Sequence, residues 1–432
     1  MTALADLNDK DLYALRNEAT RDYEAFRARG VKLDMTRGKP AADQLDLAAE
    51  MLALPGNRDH FTEAGEDARN YGGGVQGIRE ARAMFAPILD APVEQIVVAD
   101  NSSLALMHDC IVWALLKGVP GSTEPWSQAE QPAFICPVPG YDRHFSICEE
   151  YGIRMLTVPF DGNGPDMDAV EALAADPSVK GMWCVPKYSN PSGETYSDET
   201  ARRLATMRTG APDFRLFWDN AYAVHHLTET KHRIANILEL CKAAGNPDRA
   251  FVFASTSKIT LAGSGIAFFA SSPANVAWYM ARASMKTVGP DKLNQLRHVR
   301  FLRDAAGVAR HMEGHRALLA PKFQTVLAAL ENRLAGTGAA TWIVPEGGYF
   351  SSVDAMPGTA KQVVALAKQA GLALTAAGAT WPYGNDPNDS NLRLAPSFPP
   401  LADVTVAAEG IALCILLAAV EKLCAERTAV TA

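Results

Sequence analysis

The sequence predicts an α/β fold, with a large domain built on a mostly parallel seven-stranded sheet and a smaller α/β domain formed by both chain ends. The first observation is a series of seven short hydrophobic runs that alternate with helical patterns. The second is that hydrophobicity is continuous along these runs, as in strands covered on both faces. The third is a length of 432 residues, which is too long for one small core.

The predicted strands follow one another in the middle of the chain. They are the runs at 95–100, 133–139, 154–160, 181–186, 215–220, 250–256 and 265–271. Most intervals have room for a crossover helix, and residues 198–210 show a helical pattern that ends in glycine, as expected at a C-cap. Only the interval 257–264 is too short for a helix. The last two strands are therefore predicted to be joined by a tight turn or to lie antiparallel.

The rest of the chain is predicted to be largely helical. Residues 1–26 form a charged amphipathic pattern without the apolar core of a signal peptide. Residues 275–334 are almost wholly helical in pattern, and an α/β segment follows them. The apolar run 410–420 is too short to span a bilayer and predicts a packed helix. Residues 120–132 are polar and rich in proline, which favours an exposed loop.

We predict that residues 1–48 and 306–432 form the small domain and residues 49–305 the large one. The formal net charge of −8 argues against a nucleic acid as the main partner. The seven cysteines are scattered, without CxxC or paired Cys/His spacing, so neither a zinc site nor a disulfide framework is predicted. They are expected to be buried free thiols in a reducing cytoplasm.

Polar residues follow five of the predicted strands, at the edge where an open α/β sheet binds its ligands. They are Asn101-Ser102-Ser103, Pro139-Gly140-Tyr141, Lys187-Tyr188-Ser189-Asn190, Asp219-Asn220-Ala221-Tyr222 and Ser255-Thr256-Ser257-Lys258. The set offers an amine, a carboxylate, an amide, phenols and hydroxyls, but no metal-binding cluster and no Ser-His-Asp order. Pyridoxal phosphate needs such a set, because an amine binds its aldehyde, a carboxylate pairs with its ring nitrogen and a helix N-terminus with hydroxyls holds its phosphate.

Three motifs in a fixed order make this interpretation specific. They are SNPSGETYS (189–197), DNAY (219–222) and STSK (255–258), each after a predicted strand. They resemble the N-P-[ST]-G, D-x-[AP]-Y and S-x-[ST]-K elements of the fold-type-I, pyridoxal-phosphate-dependent aminotransferases. The resemblance covers nearly the whole chain, which is most similar to a bacterial subgroup of aspartate aminotransferases of atypical sequence.

The resemblance implies a role for each residue around the cofactor. Lys258 would form the Schiff base and then move the substrate proton, with its pKa lowered by burial. Asp219 would pair with the pyridine nitrogen, Asn190 and Tyr222 would contact the ring oxygen, and Tyr141 would stack on the ring. The residues implied to hold the phosphate are Ser102, Ser103, Ser255 and Ser257. Residues 70–82 resemble the region whose tyrosine, here Tyr71, reaches the phosphate of a partner subunit, which implies a homodimer with its active site at the interface.

The substrate-binding residues are implied less completely. Arg393, in NLRLAPS, matches the arginine that binds the α-carboxylate in a bidentate fork. Gly38 lies in a segment, 33–40, that resembles the one closing over the substrate. No motif gives the arginine for a distal carboxylate, and Arg37 and Arg143 are the candidates.

The glycine-rich turn after the lysine departs from the family pattern. Ser264 stands where the family usually has an arginine for the phosphate, so another cation must help. The segment 283–301 is unlike the family pattern and offers Lys286, Asn294 or Arg297 to the site or to the neighbouring subunit.

Several of these residues also have simpler interpretations. Asp219 has the position of a helix cap, and Ser102 that of an ordinary N-cap. Arg393 is equally suited to a structural salt bridge, and Lys258 by itself to a surface loop. The histidines, including the pair His225-His226, have no ligand spacing and are expected in the core or on the surface.

The favoured function is a cytoplasmic, metal-free transamination of L-aspartate and 2-oxoglutarate to oxaloacetate and L-glutamate, by a ping-pong mechanism through pyridoxamine phosphate. One alternative is a transaminase for neutral or aromatic amino acids, or a pyridoxal-phosphate-dependent β-lyase. A non-catalytic regulator that binds pyridoxal phosphate is disfavoured, because no room precedes residue 33 for a DNA-binding domain and the net charge is acidic. No nucleic acid or membrane partner is expected.

Overall fold

The structure is a computed structural model that describes residues 2–71 and 73–431. Within those ranges the helices are α1 (Asp9–Arg27), α2 (Ala42–Asp46), α3 (Arg79–Leu89), α4 (Ser103–Lys117), α5 (Asp142–Glu150), α6 (Met167–Ala174), α7 (Asp198–Thr206), α8 (Ile237–Ala243), α9 (Pro273–Lys286), α10 (Lys292–Leu302), α11 (Ala305–Leu334), α12 (Ala360–Gln369) and α13 (Leu401–Thr431). The strands are β1 (Leu33–Asp34), β2 (Ile96–Ala99), β3 (Ala133–Val138), β4 (Arg154–Pro159), β5 (Val179–Cys184), β6 (Arg215–Asp219), β7 (Ala250–Ser255), β8 (Ala267–Ala270), β9 (Ala340–Trp342), β10 (Ser351–Ala355), β11 (Leu372–Ala373) and β12 (Asn391–Leu394).

The chain forms two compact units. The first consists of residues 1–41, 190–193 and 317–432, and the second of residues 42–189 and 194–316. The domain boundaries that the sequence suggests, after residues 48 and 305, stay a prediction.

A seven-stranded sheet forms the centre of the second unit, in the order β2-β8-β7-β6-β5-β3-β4. The pairs from β7 through β6, β5 and β3 to β4 are parallel, and β8 is antiparallel to both of its neighbours. All seven predicted strands are therefore confirmed, as is the antiparallel arrangement of the last two. The short interval between β7 and β8 permits only this arrangement, because a parallel pair needs a longer crossover.

The burial of each strand depends on its place in the sheet. Every residue of β3 and of β6 is buried, as their continuous hydrophobicity predicts. Strand β4 instead alternates between buried and more exposed residues, because it lies at the edge. The prediction of two covered faces was wrong for this strand. Helix α4 packs against β7 and β8, and α6 against β3 and β4.

One local prediction in the second unit was also wrong, and another holds with one exception. Helix α7 ends at Thr206, so Gly210 is not its C-cap. A Cβ atom at Gly210 would lie 2.2 Å from the carbonyl oxygen of Ala175, so close approach of two backbones accounts for the glycine. The segment 120–132 is not simply an exposed loop, because Trp126 is fully buried and its indole donates a hydrogen bond to Asp213 at 2.9 Å.

The first unit contains two smaller β-structures and the terminal helices. Strands β12, β10 and β9 form an antiparallel sheet, and β1 pairs in parallel with β11. Helices α1 and α13 pack against each other, and Leu12, Tyr23 and Phe26 of α1 are buried in the core of this unit. The amphipathic N-terminal helix predicted from the sequence is thus present.

Helix α13 is much longer than the apolar run at 410–420 from which it was predicted. By length and composition it meets the requirements for crossing a bilayer, with a mean hydropathy of 2.0 in its most apolar window. However, 78% of that window is buried inside the protein, as in the core helix of a globular domain. The prediction of a packed helix is therefore confirmed.

Candidate active site

The carboxyl ends of the parallel strands in the second unit bring most of the predicted site residues to one edge of the sheet. Asp219 is the last residue of β6 and pairs in register with Phe253 of β7. Ser255 ends β7, and Lys258 follows it within a turn. The parallel register thus places a carboxylate and an amine on neighbouring strand ends, as the topology of an open sheet requires.

Asp219 is almost completely shielded from solvent. Its side chain is buried, and its Oδ2 atom lies 3.2 Å from Nε2 of His144, which is also buried. The His144 ring stacks on Trp183, with 4.3 Å between ring centroids and an interplanar angle of 8°. Residues 221–224 form turns rather than a helix, so Asp219 is not a helix cap.

One oxygen of this carboxylate is unsatisfied. Oδ1 of Asp219 is buried and has no hydrogen-bond partner among the residues that the structure describes. Leaving a charged acceptor buried without a partner costs several kcal/mol as an order of magnitude. The site therefore fits a ligand that brings a cationic N–H to this oxygen, which is what the protonated ring nitrogen of pyridoxal phosphate carries.

Lys258 is held close to the aromatic residues that follow Asp219. Its Nζ atom lies 5.3 Å from the centroid of the Tyr222 ring, and its backbone carbonyl accepts a hydrogen bond from Nε2 of His225 at 3.2 Å. Burial lowers the pKa of the Lys258 amine, and the charge of Asp219 opposes that shift. A lowered pKa increases the fraction of neutral amine, which is the form able to attack a carbonyl or accept a proton.

Hydroxyl groups and the N-terminus of α4 form a polar cradle beside this lysine. Ser102 is the N-cap of α4, and its Oγ accepts from the backbone N–H of Ala105 at 3.4 Å. Ser257 donates to the carbonyl oxygen of Asn101 at 3.1 Å, and Ser255 donates to Ser257 at 3.2 Å. Ser103 is buried in the first turn of the helix. A helix N-terminus of this kind attracts a phosphate group.

The cradle depends on a close approach at Gly265. A Cβ atom there would lie 2.9 Å from the carbonyl oxygen of Asn101 and 3.2 Å from Oγ of Ser257. The absence of a side chain thus leaves the two hydroxyl-bearing segments in contact. Cradle and glycine together fit the phosphate of pyridoxal phosphate.

A cation lies beside Ser264, the residue that departs from the family pattern. Nη1 of Arg297 donates to Oγ of Ser264 at 3.4 Å, and its Nε donates to the carbonyl oxygen of Leu54 at 2.8 Å. Ser264 in turn donates to Oδ1 of Asn294 at 3.1 Å. Of the three residues that segment 283–301 offered to the site, Asn294 and Arg297 contact Ser264, whereas Lys286 is bonded to Asp100 and Asp109.

Of the remaining predicted residues of the second unit, Tyr141 contacts His144 and the other two lie on the surface. The Tyr141 ring meets His144 edge-on, with 4.9 Å between centroids. Arg143 is exposed, and Tyr71 is 83% exposed.

The predicted substrate residues Gly38, Arg37 and Arg393 belong to the first unit, as does buried Asn190. The Arg393 guanidinium lies 5.0 Å from the centroid of the Phe350 ring. A Cβ atom at Gly38 would lie 2.1 Å from that ring, so only glycine fits. Arg37 is exposed. Gly38 and Arg393 thus both lie against the Phe350 ring, and their roles toward the substrate stay a prediction.

The sequence interpretation missed His144, Trp183 and His225. The only local signal for His144 is its place on α5, three residues after Tyr141, which puts the two side chains one helical turn apart. His225 was expected to be a core or surface histidine, and it is buried, but it also supports the backbone of Lys258. All seven cysteines are buried and free, and the described part of the chain has no cluster of His, Cys, Asp and Glu able to hold a metal ion.

A buried histidine beneath the lysine turn makes stability depend on pH. Nδ1 of His298 donates to the carbonyl of Asn294 at 2.8 Å, so its Nε2 is the acceptor for the hydroxyls of Thr256 and Thr260 at 3.0 and 2.9 Å. Burial lowers the pKa of His298 to about 4. The folded protein therefore keeps a neutral imidazole at pH values where the unfolded chain is already protonated.

We expect the unfolding free energy to fall as the pH drops from about 6.5 to about 4, by on the order of 3 kcal/mol for His298 alone. Urea titrations at pH 7.5, 6.0 and 4.5 measure this dependence. The matched variant His298→Gln keeps a donor and an acceptor but does not titrate, so its stability should vary less over the same range. An equal slope in both proteins would contradict the assignment.

The chain is similar to known proteins over nearly its whole length. The family model for aspartate amino-transferases matches residues 7–427. An aspartate aminotransferase of Corynebacterium glutamicum is 51% identical over 419 residues, which cover 97% of each chain. The crystal structure of an aspartate transaminase from that species has a TM-score of 0.95 at 50% identity, covering 98% of this chain and 99% of that one. The structure of an α-aminoadipate aminotransferase from Thermus thermophilus, complexed with N-(5'-phosphopyridoxyl)-L-leucine, has the same fold at 20% identity, with a TM-score of 0.73 over 94% of this chain and 95% of that one. The chain therefore belongs to the aspartate amino-transferase family.

Proposed function

We propose that this aminotransferase moves the amino group of L-aspartate to 2-oxoglutarate in two half-reactions, as a cytoplasmic homodimer. The observation that carries the proposal is that two reactive groups lie at the ends of neighbouring strands. One is the lysine Lys258 with a lowered pKa, and the other is the buried carboxylate of Asp219 with an unsatisfied oxygen. L-aspartate is favoured because a relative at 51% identity is named an aspartate aminotransferase.

Pyridoxal phosphate, when bound, supplies an electron sink for the negative charge left at the substrate Cα. The proposed role of Asp219 is to hold a proton on the ring nitrogen through Oδ1, because a carboxylate next to a base raises the pKa of that base. His144 contacts the other oxygen and is stacked on Trp183, so it fixes the direction in which the carboxylate points. His144 and Trp183 are thus proposed to position the charge of Asp219 without contacting the substrate.

Lys258 is proposed to bind the cofactor aldehyde and then to remove the proton from the substrate Cα through Nζ. Burial lowers the pKa of this amine, which raises the fraction of the neutral form that can accept a proton. The hydrogen bond from His225 to its backbone carbonyl limits the movement of the turn that carries it. Tyr222 and Asn190 are proposed to contact the ring oxygen, and Tyr141 to stack on the ring.

The phosphate is proposed to be held by Ser102, Ser103, Ser255 and Ser257 at the N-terminus of α4, with Arg297 as its cation. Arg297 is the residue whose guanidinium contacts Ser264, where the family usually has an arginine. A guanidinium donates several hydrogen bonds in one plane and stays charged, which suits a phosphate dianion.

Replacing Arg297 by methionine should weaken pyridoxal phosphate binding about 10- to 100-fold, because one charge-assisted hydrogen bond is lost. The dissociation constant is measured by fluorescence during titration of the cofactor-free protein, so no activity is needed. The matched control is Arg300→Met, which removes an arginine on the same helix that pairs with exposed Asp59. Unchanged affinity in the Arg297 variant would assign the phosphate cation elsewhere.

Arg393 is proposed to bind the substrate α-carboxylate and Gly38 to contact the substrate through its backbone. Arg37 and Arg143 are both exposed and are the two candidates for the distal carboxylate. Tyr71 is proposed to reach the phosphate in a partner subunit. The exposure of Tyr71, together with that of Leu52, Met285 and Val288, supports a subunit interface on the second unit. Light scattering tests the homodimer, which should have a mass near twice the 46.4 kDa of one chain.

The substrate assignment is tested with the variants Arg37→Met and Arg143→Met. The one that binds the distal carboxylate should lose about 100-fold in kcat/KM for L-aspartate and keep its activity on L-alanine and L-phenylalanine. Coupled assays with each amino acid and 2-oxoglutarate give these values. Faster turnover of neutral or aromatic amino acids by the wild type would favour that alternative, and release of ammonia instead of glutamate would favour a β-lyase.

A further inference from the structure

A cavity of about 310 Å³ lies in the second unit, between the C-terminal end of α3 and the segment 223–237 that leads into α8. This volume is at the lower end of the range for small-molecule sites. The cofactor residues proposed above, including Lys258 and Asp219, do not line it. Its charged and titratable lining residues are Asp90, Lys187, His226, Lys231, His232 and Arg233.

Lys187 is the most deeply placed of these groups. Only 6% of the residue is exposed, and its Nζ atom donates to the carbonyl oxygen of Ala223 at 2.7 Å. An ammonium has three donors, and a neutral carbonyl does not balance its charge. Burial and, to a smaller extent, the positive charge of Arg233 lower the pKa of Lys187 to about 8, against the opposing effect of Asp90. At pH 7 the group is therefore still mostly a cation.

The other lining groups leave a positive balance in the cavity. Lys231 already has a counter-charge, because it is paired at 2.6 Å with Glu313, which Arg316 also contacts. His226 is bonded to the Tyr188 hydroxyl at 2.7 Å, and burial lowers its pKa to about 4, so it is neutral at pH 7. The charges that remain are those of Lys187 and Arg233 against the single carboxylate of Asp90.

We propose that this cavity is a second binding site, distinct from the cofactor site, for a small anion that carries a phosphate or carboxylate group. Lys187 binds the anion from the buried end and Arg233 from the exposed end, and the imidazole of His226 or of His232 completes the hydrogen bonds. The anion supplies the counter-charge that the buried ammonium lacks.

The site is joined to the active site by one continuous segment. Residues 220–237 begin directly after Asp219 and carry both His225, which bonds to the carbonyl of Lys258, and the residues that line the cavity. A bound anion would contact the cavity-lining part of the same segment that carries the contact with the lysine turn. The same anion therefore stabilises the folded protein as well as filling the cavity.

The proposal is tested by calorimetric titration of the cofactor-loaded enzyme at pH 7, with inorganic phosphate and with citrate in separate experiments. The two probes distinguish a site for phosphate groups from a site for carboxylate groups. The loaded enzyme is used because its own phosphate cradle is then filled. We expect saturable one-site binding of at least one probe to the wild type. Lys187→Met should weaken it at least about tenfold, as expected for a lost charge-assisted hydrogen bond.

Lys231→Met is the matched control, because that lysine lines the same cavity but is paired with Glu313. The affinity of this variant for the anion should change less than about twofold. If Lys187→Met does not fold, Arg233→Gln replaces it, since Arg233 is exposed and its loss leaves the core intact. Absence of saturable binding to the wild type, or equal binding by Lys187→Met and the wild type, would overturn the proposal.

Discussion

Replacing Lys258 by alanine should lower the rate of transamination by about 10⁴-fold or more. The substitution removes both the amine that binds the cofactor aldehyde and the base that takes the Cα proton, and acid–base catalysis alone contributes about 10² to 10⁴. The variant should still fold, because Lys258 lies in a turn after β7 and its burial disfavours the charged form of the amine. Coupled assays give the rate and circular dichroism the fold.

The matched control is Lys242→Ala. Lys242 is an exposed lysine of α8 whose only described ion pair, with Glu239, is a surface contact within the same helix. Such pairs contribute little, so rate and stability should match the wild type. A Lys258 variant that retained more than about a tenth of the wild-type rate would show that the lysine is not the catalytic amine.

Replacing Asp219 by asparagine should reduce kcat by about 10²- to 10³-fold, because truncating one partner of a buried charge pair costs about 3–5 kcal/mol. The change keeps the shape of the side chain but removes the charge that holds a proton on the ring nitrogen. The cofactor should still bind, since Arg297 and the four serines are untouched. Steady-state kinetics at saturating cofactor measure the loss.

Asp213→Asn is the control at the other end of the same strand. Asp213 is equally buried, just before β6, and is bonded to Ser122, Trp126 and Lys180. Its replacement should lower the melting temperature and leave kcat unchanged. If both aspartate variants lost activity in proportion to stability, the proposed role of Asp219 would be wrong.

The strands of the second unit could be predicted from the sequence because their signal is local. Continuous hydrophobicity marks β3 and β6, whose faces are both covered, and the short interval after β7 fixes the direction of β8. The edge position of β4 could not be predicted, since it depends on which strand pairs with β3. Gly210 was misinterpreted for the same reason, because its constraint comes from Ala175, far along the chain.

The site shows the same division between local and distant information. The order of DNAY and STSK after their strands predicts where Asp219 and Lys258 lie. The contact of Arg297 with Ser264 joins residues 33 positions apart, and that of His144 with Asp219 joins helix α5 to the end of β6. No spacing rule connects such pairs. The sequence left Arg297 as one of three candidates in segment 283–301, and the choice among them and the contact of Asp219 with His144 came from the fold.

The central claim is that Lys258 and Asp219 operate pyridoxal phosphate in an amino transfer from L-aspartate. The most direct test is the absorbance spectrum of the purified, cofactor-loaded protein during addition of L-aspartate alone and then of 2-oxoglutarate. We predict that L-aspartate shifts the visible band of the bound cofactor to the ultraviolet, and that 2-oxoglutarate restores it. A protein that showed no such band after reconstitution with pyridoxal phosphate, or a band unaffected by L-aspartate, would contradict the claim.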